Sequence, residues 1–163
     1  MKQNYTSAAT SINSVKLPAV YSRLDLVPGE SVLDYGCGRY VDHLRAAVSE
    51  RGATWTGYDP FNYPTVLGDH EYFDLVICSN VLNVIDSDFV VDEILAELAW
   101  RTRDGGRCMI SIYEGDKSGE GRPTKADCYQ RNQKTRDYID FISRHFKSWK
   151  ISGNVITCYN PDR

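Results

Sequence analysis

Apolar residues along this chain fall into two spacings, short runs of strand length and stripes at helical intervals, and the two kinds follow one another in turn. In residues 8–24, Ile12, Val15, Val20, Tyr21 and Leu24 are broken by Pro18 and read as two short helical pieces, an N-terminal cap over residues 1–28. After the Pro28-Gly29 turn, residues 31–35 (SVLDY) form a first strand. Val41, Leu44 and Val48 lie at i, i+3 and i+7, one face of a helix that Gly52 is placed to end. Residues 54–58 make a second strand, closed by Asp59-Pro60. Only 15 positions separate Asp59 from Asp74, too few for a full helix-and-strand crossover, so the third strand region is expected to be shortened or absent. Residues 73–79 are a continuous apolar run, a buried strand. Asp86-Ser87-Asp88 caps a helix with Val91, Ile94, Leu95 and Leu98 on one stripe, ended by Gly105-Gly106, and residues 107–113 are the next strand. A polar stretch, residues 114–131, separates these from a last helix marked by Ile139, Ile142 and Phe146. Residues 147–152 and 154–159, divided by Gly153, read as a terminal hairpin. The alternation predicts an α/β fold, a mostly parallel sheet with helices on both faces, as one domain over residues 1–163.

Composition narrows the function classes. The chain is 42% hydrophobic and 25% charged with net charge −3, ordinary for a globular domain. No apolar stretch approaches the roughly 20 residues that span a bilayer, and the N-terminus carries no apolar leader core, so a cytoplasmic protein without a membrane partner is expected. The five cysteines are Cys37, Cys78, Cys108, Cys128 and Cys158, an odd count with no CxxC pair, which argues against a disulfide scaffold or a metal site. Residues 117–150 hold nine Lys/Arg and four Asp/Glu, +5, leaving −8 elsewhere. That imbalance admits a phosphate-bearing substrate, or simply a solvated helix face and loop.

The chemistry concentrates in Val32-Leu33-Asp34-Tyr35-Gly36-Cys37-Gly38-Arg39-Tyr40. A strand that runs through glycines into a helix lets a ligand approach the backbone and offers it free N–H groups. The dinucleotide pattern Gly-x-Gly-x-x-Gly would need glycine where Val41 stands, so a nicotinamide-dependent oxidoreductase is disfavoured. The segment Gly115 to Arg122 misses the nucleotide-triphosphate loop spacing because Glu120 occupies the second glycine position.

Asp34-Tyr35-Gly36-Cys37-Gly38 resembles the first motif of class I S-adenosylmethionine (SAM)-dependent methyltransferases, and residues 30–160 are similar in layout, closest to small bacterial and phage stand-alone members. The resemblance implies a Rossmann-like, doubly wound sheet whose last strand is antiparallel. It implies SAM as cofactor, held by Asp34, Tyr35, Gly36, Cys37 and Gly38, with Asp59 on the ribose and Pro60 or Phe61 flanking the adenine. Asp69 is a further candidate in the adenine loop, and Asn80 faces the cofactor and the acceptor. Asn80 and Glu114 are the catalytic candidates, Glu114 as acid or base. Tyr113, Glu114, Tyr129 and Asn132 form a substrate wall or lid, or else belong to a mere connector. Two departures stand out: Tyr40 replaces a common third glycine, and Ser79-Asn80-Val81-Leu82 lacks the Asn/Asp-Pro-Pro-aromatic motif of amino-methylating DNA enzymes. The expected reaction is methyl transfer to a small-molecule or nucleic-acid-linked acceptor. The alternative is a non-catalytic SAM-binding regulatory module.

Overall fold

The computed structural model describes residues 14–124 and 128–163. The first helical piece, expected before Pro18, therefore lies mostly outside the described residues. The second is a 3-10 turn, Ala19–Arg23. Strand β1 is Ser31–Tyr35, helix α1 Asp42–Ser49 and strand β2 Thr54–Tyr58. Strand β3 is Phe73–Ser79, followed by a 3-10 turn Leu82–Val84, helix α2 Asp88–Arg101 and strand β4 Thr102–Ser111. Two short strands, β5 Arg122–Pro123 and β6 Tyr129–Gln130, pair with each other. A 3-10 turn Thr135–Tyr138 runs into helix α3, Ile139–Ile142, and strands β7 Phe146–Ser152 and β8 Val155–Pro161 finish the chain.

The main sheet has the order β2-β1-β3-β4-β8-β7. β1 to β4 are parallel, and β8 is antiparallel to both of its neighbours. The last strand is antiparallel as expected, but it lies inside the sheet with β7 on the rim. Each central strand is buried on both sides, and the period-2 alternation of side chains divides two cores. On one face Val32, Trp55, Leu75 and Ile77 meet Val20, Tyr21, Leu44 and Val48 from the N-terminal turn and α1. On the other Leu33, Val76, Cys78, Cys108 and Ile110 meet Val91, Leu95, Leu98 and Ile142 from α2 and α3. Cys78, Cys108 and Cys158 are free thiols of this second core, as their apolar settings predict.

Sequence and structure differ in three places. Gly105-Gly106 does not end α2: the helix stops at Arg101, where the Thr102 hydroxyl donates to the Leu98 carbonyl at 2.7 Å. The two glycines instead sit at a register break between β3 and β4, where a Cβ on Gly106 would lie 2.7 Å from the Asp74 carbonyl oxygen. Phe146 opens β7 and does not belong to the last helix, which has only four residues. The polar stretch after β4 is folded back by the β5–β6 pair. Between β2 and β3 there is no strand or helix among the described residues, only an isolated bridge from Asp59 to Tyr63, so the family's third strand is missing as expected. No described helix is long and apolar enough to cross a membrane.

β1 connects through α1 to β2 on one side, while β3 connects through α2 to β4 on the other. The chain reverses its winding between β1 and β3, and loops leaving such neighbours diverge to leave a crevice at the strands' carboxyl ends.

Candidate functional site

Three loops meet at that crevice. The first leaves β1 through Gly36 and Gly38, whose φ angles of 86° and 80° suit glycine. It is bent toward β2: the Gly36 and Cys37 N–H groups both donate to the Tyr58 carbonyl, at 2.6 and 3.2 Å, and the Gly38 N–H donates to Asp59 Oδ2 at 3.1 Å. The second loop leaves β2. Asp59 Oδ1 accepts the N–H groups of Phe61 and Asn62 at 3.0 Å each, and the Asn62 amide at 3.3 Å. Asp59 thus caps its own turn with one oxygen and clamps the glycine loop with the other. A carboxylate oxygen takes two hydrogen bonds comfortably, so Oδ2 retains capacity for one more donor such as a hydroxyl. Pro60 and Phe61 lie beside it and are exposed, Phe61 by 53%.

The third loop leaves β3 at Asn80, which is exposed, has φ 57°, and donates its N–H to the Ser111 carbonyl at 2.9 Å. Its next residue reaches across: a Cβ on Gly36 would lie 2.3 Å from a Val81 methyl. The bareness of Gly36 is therefore used by Val81, which locks the first and third loops together. Sequence reasoning assigned that space to a ligand.

Asp34 is 2% exposed at the end of β1. Tyr21 of the N-terminal turn donates to Asp34 Oδ2 at 2.5 Å and accepts from the Trp55 indole N–H at 3.0 Å. Burial pushes the Asp34 carboxyl up to about 7, the Tyr21 hydrogen bond pulls it back, and the negative charge of Asp59 adds to the rise. Burial likewise raises the Cys37 thiol, with Asp34 and Asp59 reinforcing it, so Cys37 is a neutral thiol here. Tyr35 packs against Tyr58 with ring centroids 5.0 Å apart, its side chain on the α2 face with the second core. Among the described residues, neither Asp34 nor Asp59 forms an ion pair with lysine or arginine. The crevice thus holds two buried acids with no counter-cation among the described residues.

Two candidates fall elsewhere. Asp69 precedes β3 at the opposite, amino-terminal edge of the sheet, where its carbonyl accepts the Trp100 indole N–H at 3.0 Å and the neighbouring Gly68 and Glu71 carbonyls accept from Arg101. The shortened crossover carries this loop away from the crevice, so Asp69 does not line it. Glu114 is at the correct edge, just past β4, but its Oε2 accepts the Thr135 N–H at 2.7 Å and the Thr135 hydroxyl at 3.2 Å. The carboxylate caps the Thr135–Tyr138 turn.

The described residues of the polar stretch are fastened to the rest of the fold. The Arg131 N–H donates to the Asn83 carbonyl at 2.8 Å, and its guanidinium donates to the Ile85 carbonyl and pairs with Asp88. Asn132, at φ 59°, accepts the Asp116 N–H and donates to the Glu120 carbonyl. Arg122 and Arg144 pair with Asp116 and Asp92. Tyr113, 59% exposed, stands where this stretch leaves the sheet. Sequence reasoning missed Tyr21, Trp55, Val81 and Asn62 as parts of the site; Tyr21 reads there only as an apolar position and Val81 only as a neighbour of Asn80.

A parallel sheet with a glycine bend at its switch point and an acid closing the second strand is the architecture of a nucleoside-binding α/β enzyme. The chain belongs to the methyltransferase-domain family, whose model matches residues 12–151, and is a SAM-dependent methyltransferase. Its fold is similar to that of the 1,6-didemethyltoxoflavin-N1-methyltransferase of Burkholderia thailandensis, with TM-score 0.63 and 21% identity over 83% of this chain and 72% of that one. It is similar to the sugar N-methyltransferase KedS8 of Streptoalloteichus, at TM-score 0.56 and 13% identity over 82% and 81%. A TehB-like methyltransferase of Corynebacterium glutamicum follows at 0.54 and 17% over 88% and 86%. No curated protein sequence matches the chain.

Gly36→Ala is expected to lower stability by about 2–5 kcal/mol, the sum of left-handed strain and overpacking against Val81. Adding Val81→Ala should recover the overpacking part and leave about 1–2 kcal/mol of backbone strain. Chemical denaturation of both variants measures the difference, and a double variant no better than the single contradicts the interlock.

Proposed function

We propose that SAM binds in the crevice between the first and second loops and donates its methyl group to a small-molecule acceptor above Asn80. The observation that carries this reading is the pair of buried acids, Asp34 and Asp59, which pair with no lysine or arginine among the described residues, at a crevice bordered by the glycine bend and exposed apolar surface. SAM is a nucleoside with a diol and two positive charges, and it complements each of those features. Asp59 Oδ2 takes a ribose hydroxyl, Pro60 and Phe61 flank the adenine, and the Cys37–Gly38 backbone borders the ribose and methionine portion. Tyr35 supports the bend by packing on Tyr58, and Asp34 supplies negative potential to the cationic end. Gly36 contributes indirectly, by admitting Val81.

When bound, SAM supplies an electrophilic methyl on positively charged sulfur. The chain's own contribution is to orient donor and acceptor and to exclude water. Asn80, held in a left-handed conformation at the end of β3, presents its amide toward the acceptor. Two observations favour a small acceptor over a nucleic-acid-linked one. The chain's net charge is −3, and Arg122, Arg131 and Arg144 are engaged with its own aspartates. The Burkholderia relative carries a small molecule, 1,6-didemethyltoxoflavin, beside S-adenosylhomocysteine (SAH), the demethylated product. Incubation with labelled SAM and fractionated extract is expected to place label in the small-molecule fraction; label confined to RNA or DNA rejects this choice.

A cation beside Asp34 favours its ionised form, so SAM and SAH binding should release a proton and strengthen as pH rises through about 7. The sign is fixed by the raised pKa: folding favours protonated Asp34, binding favours the anion. Calorimetry should show affinity for SAH rising roughly tenfold from pH 6 to 8. Asp34→Asn should flatten that profile and weaken binding, yet leave the unliganded protein at least as stable at pH 8, since the buried charge is gone. An unbound SAH at every pH rejects the donor site.

Glu114 is expected to act as a cap. Glu114→Gln keeps an acceptor oxygen for Thr135 and should change turnover by less than about tenfold, whereas loss of a general base lowers it by about a hundredfold or more.

A further inference from the structure

We propose that Tyr21 is a positioning residue for the methyl donor: its hydroxyl fixes the Asp34 carboxylate from behind, making the N-terminal turn Ala19–Arg23 part of the donor site although no ligand motif lies in it. The inference rests on the donor site proposed above and adds a residue to it.

With Asp34 ionised, the hydrogen bonds have only one polarity. An indole N–H donates and cannot accept, so Tyr21 Oη accepts from Trp55 Nε1 at 3.0 Å and must use its own proton on Asp34 Oδ2, at 2.5 Å. The relay thus runs from β2 through the turn to β1 and aims a donor at the acid. It lies in the core between the sheet and α1, with Tyr21 2% and Trp55 8% exposed, where a hydrogen bond to a charged group is strong. Other groups facing Asp34 cannot substitute for it. Asp59 of β2 is a like charge, and Cys37 of the glycine loop and Cys78 of β3 are buried thiols held neutral.

The turn itself does not depend on the hydroxyl. The Tyr21 N–H bonds the Pro18 carbonyl, Val20 and Leu24 are buried, Arg23 donates to the Ser152 carbonyl at 2.7 Å, and Arg51 donates to the Leu24 carbonyl at 2.7 Å. Removing one oxygen therefore probes the relay while the scaffold stays in place. Without it the carboxylate loses the bond that stabilises its anion, protonates at higher pH, and attracts a cation less at neutrality.

The test uses Tyr21→Phe, Asp34→Asn and the double variant, with SAH titrated calorimetrically between pH 6 and 9. The carboxyl carbon of Asp34 is followed by NMR in the unliganded protein. Tyr21→Phe is expected to fold with a lowered melting temperature, because the buried Trp55 N–H loses its acceptor, to raise the Asp34 midpoint by about one pH unit, and to weaken SAH roughly fivefold at pH 7, less at pH 9. KM for SAM should rise more than kcat falls, and in the Asp34→Asn background Tyr21→Phe should add nothing. Wild-type SAH affinity at all pH values in Tyr21→Phe, or effects additive with Asp34→Asn, overturns the proposal while leaving the donor site intact. A wild-type protein that fails to bind SAH overturns both. Should Tyr21→Phe not fold, Trp55→Phe removes the N–H that polarises the phenol, and it should move the Asp34 midpoint in the same direction by less; an unmoved midpoint overturns the proposal.

Discussion

Burying Asp34 within reach of Asp59, with no cation supplied by the described residues, is the constraint around which the crevice is organised. A carboxylate removed from water loses several kcal/mol of solvation unless hydrogen bonds and charges replace it. The chain replaces it in part, through Tyr21 on Asp34 and through backbone and amide N–H groups on Asp59. What remains is negative potential at the carboxyl edge of the sheet, which the sulfonium and ammonium of the proposed donor would relieve.

Rigidity at the same place comes from interlocked loops. Asp59 reaches back to Gly38, Val81 reaches across to Gly36, and Asn80 is tied to Ser111 at the end of β4. Each contact joins loops from different strands, so the three loops hold one arrangement. Methyl transfer draws its rate from alignment, and alignment is what such ties provide. The folded-back stretch after β4 extends this logic outward, since Arg131 and Asn132 fasten it to the Leu82–Val84 turn and to its own backbone.

The elements of the fold were legible because their signals are local. The apolar run at β3, the Ser87 cap of α2, the Gly153 turn and the glycine bend after β1 each need only neighbouring residues, and each fell within a few residues of its expected place. Gly105-Gly106 misled because glycine marks both a helix end and a strand irregularity, and only the proximity of the Asp74 carbonyl decides between them. Asp69 misled because a carboxylate in a short loop has no spacing that tells which edge of a sheet the loop will follow.

The sequence by itself determined the alternation of strands and helices, the missing crossover before β3, and the acid–glycine signature that placed the chain among SAM-dependent methyltransferases, because periodicity and backbone freedom are properties of contiguous residues. Tertiary structure alone decided that Gly36 makes room for Val81, that Glu114 caps a turn, that the basic arginines face their own aspartates, and that Tyr21 reaches Asp34. Those pairs are 45, 21, 43, 52 and 13 positions apart, or six for Arg122 and Asp116. No local pattern encodes which distant side chain a folded sheet will bring against a given atom, and there the chemistry of the site resides.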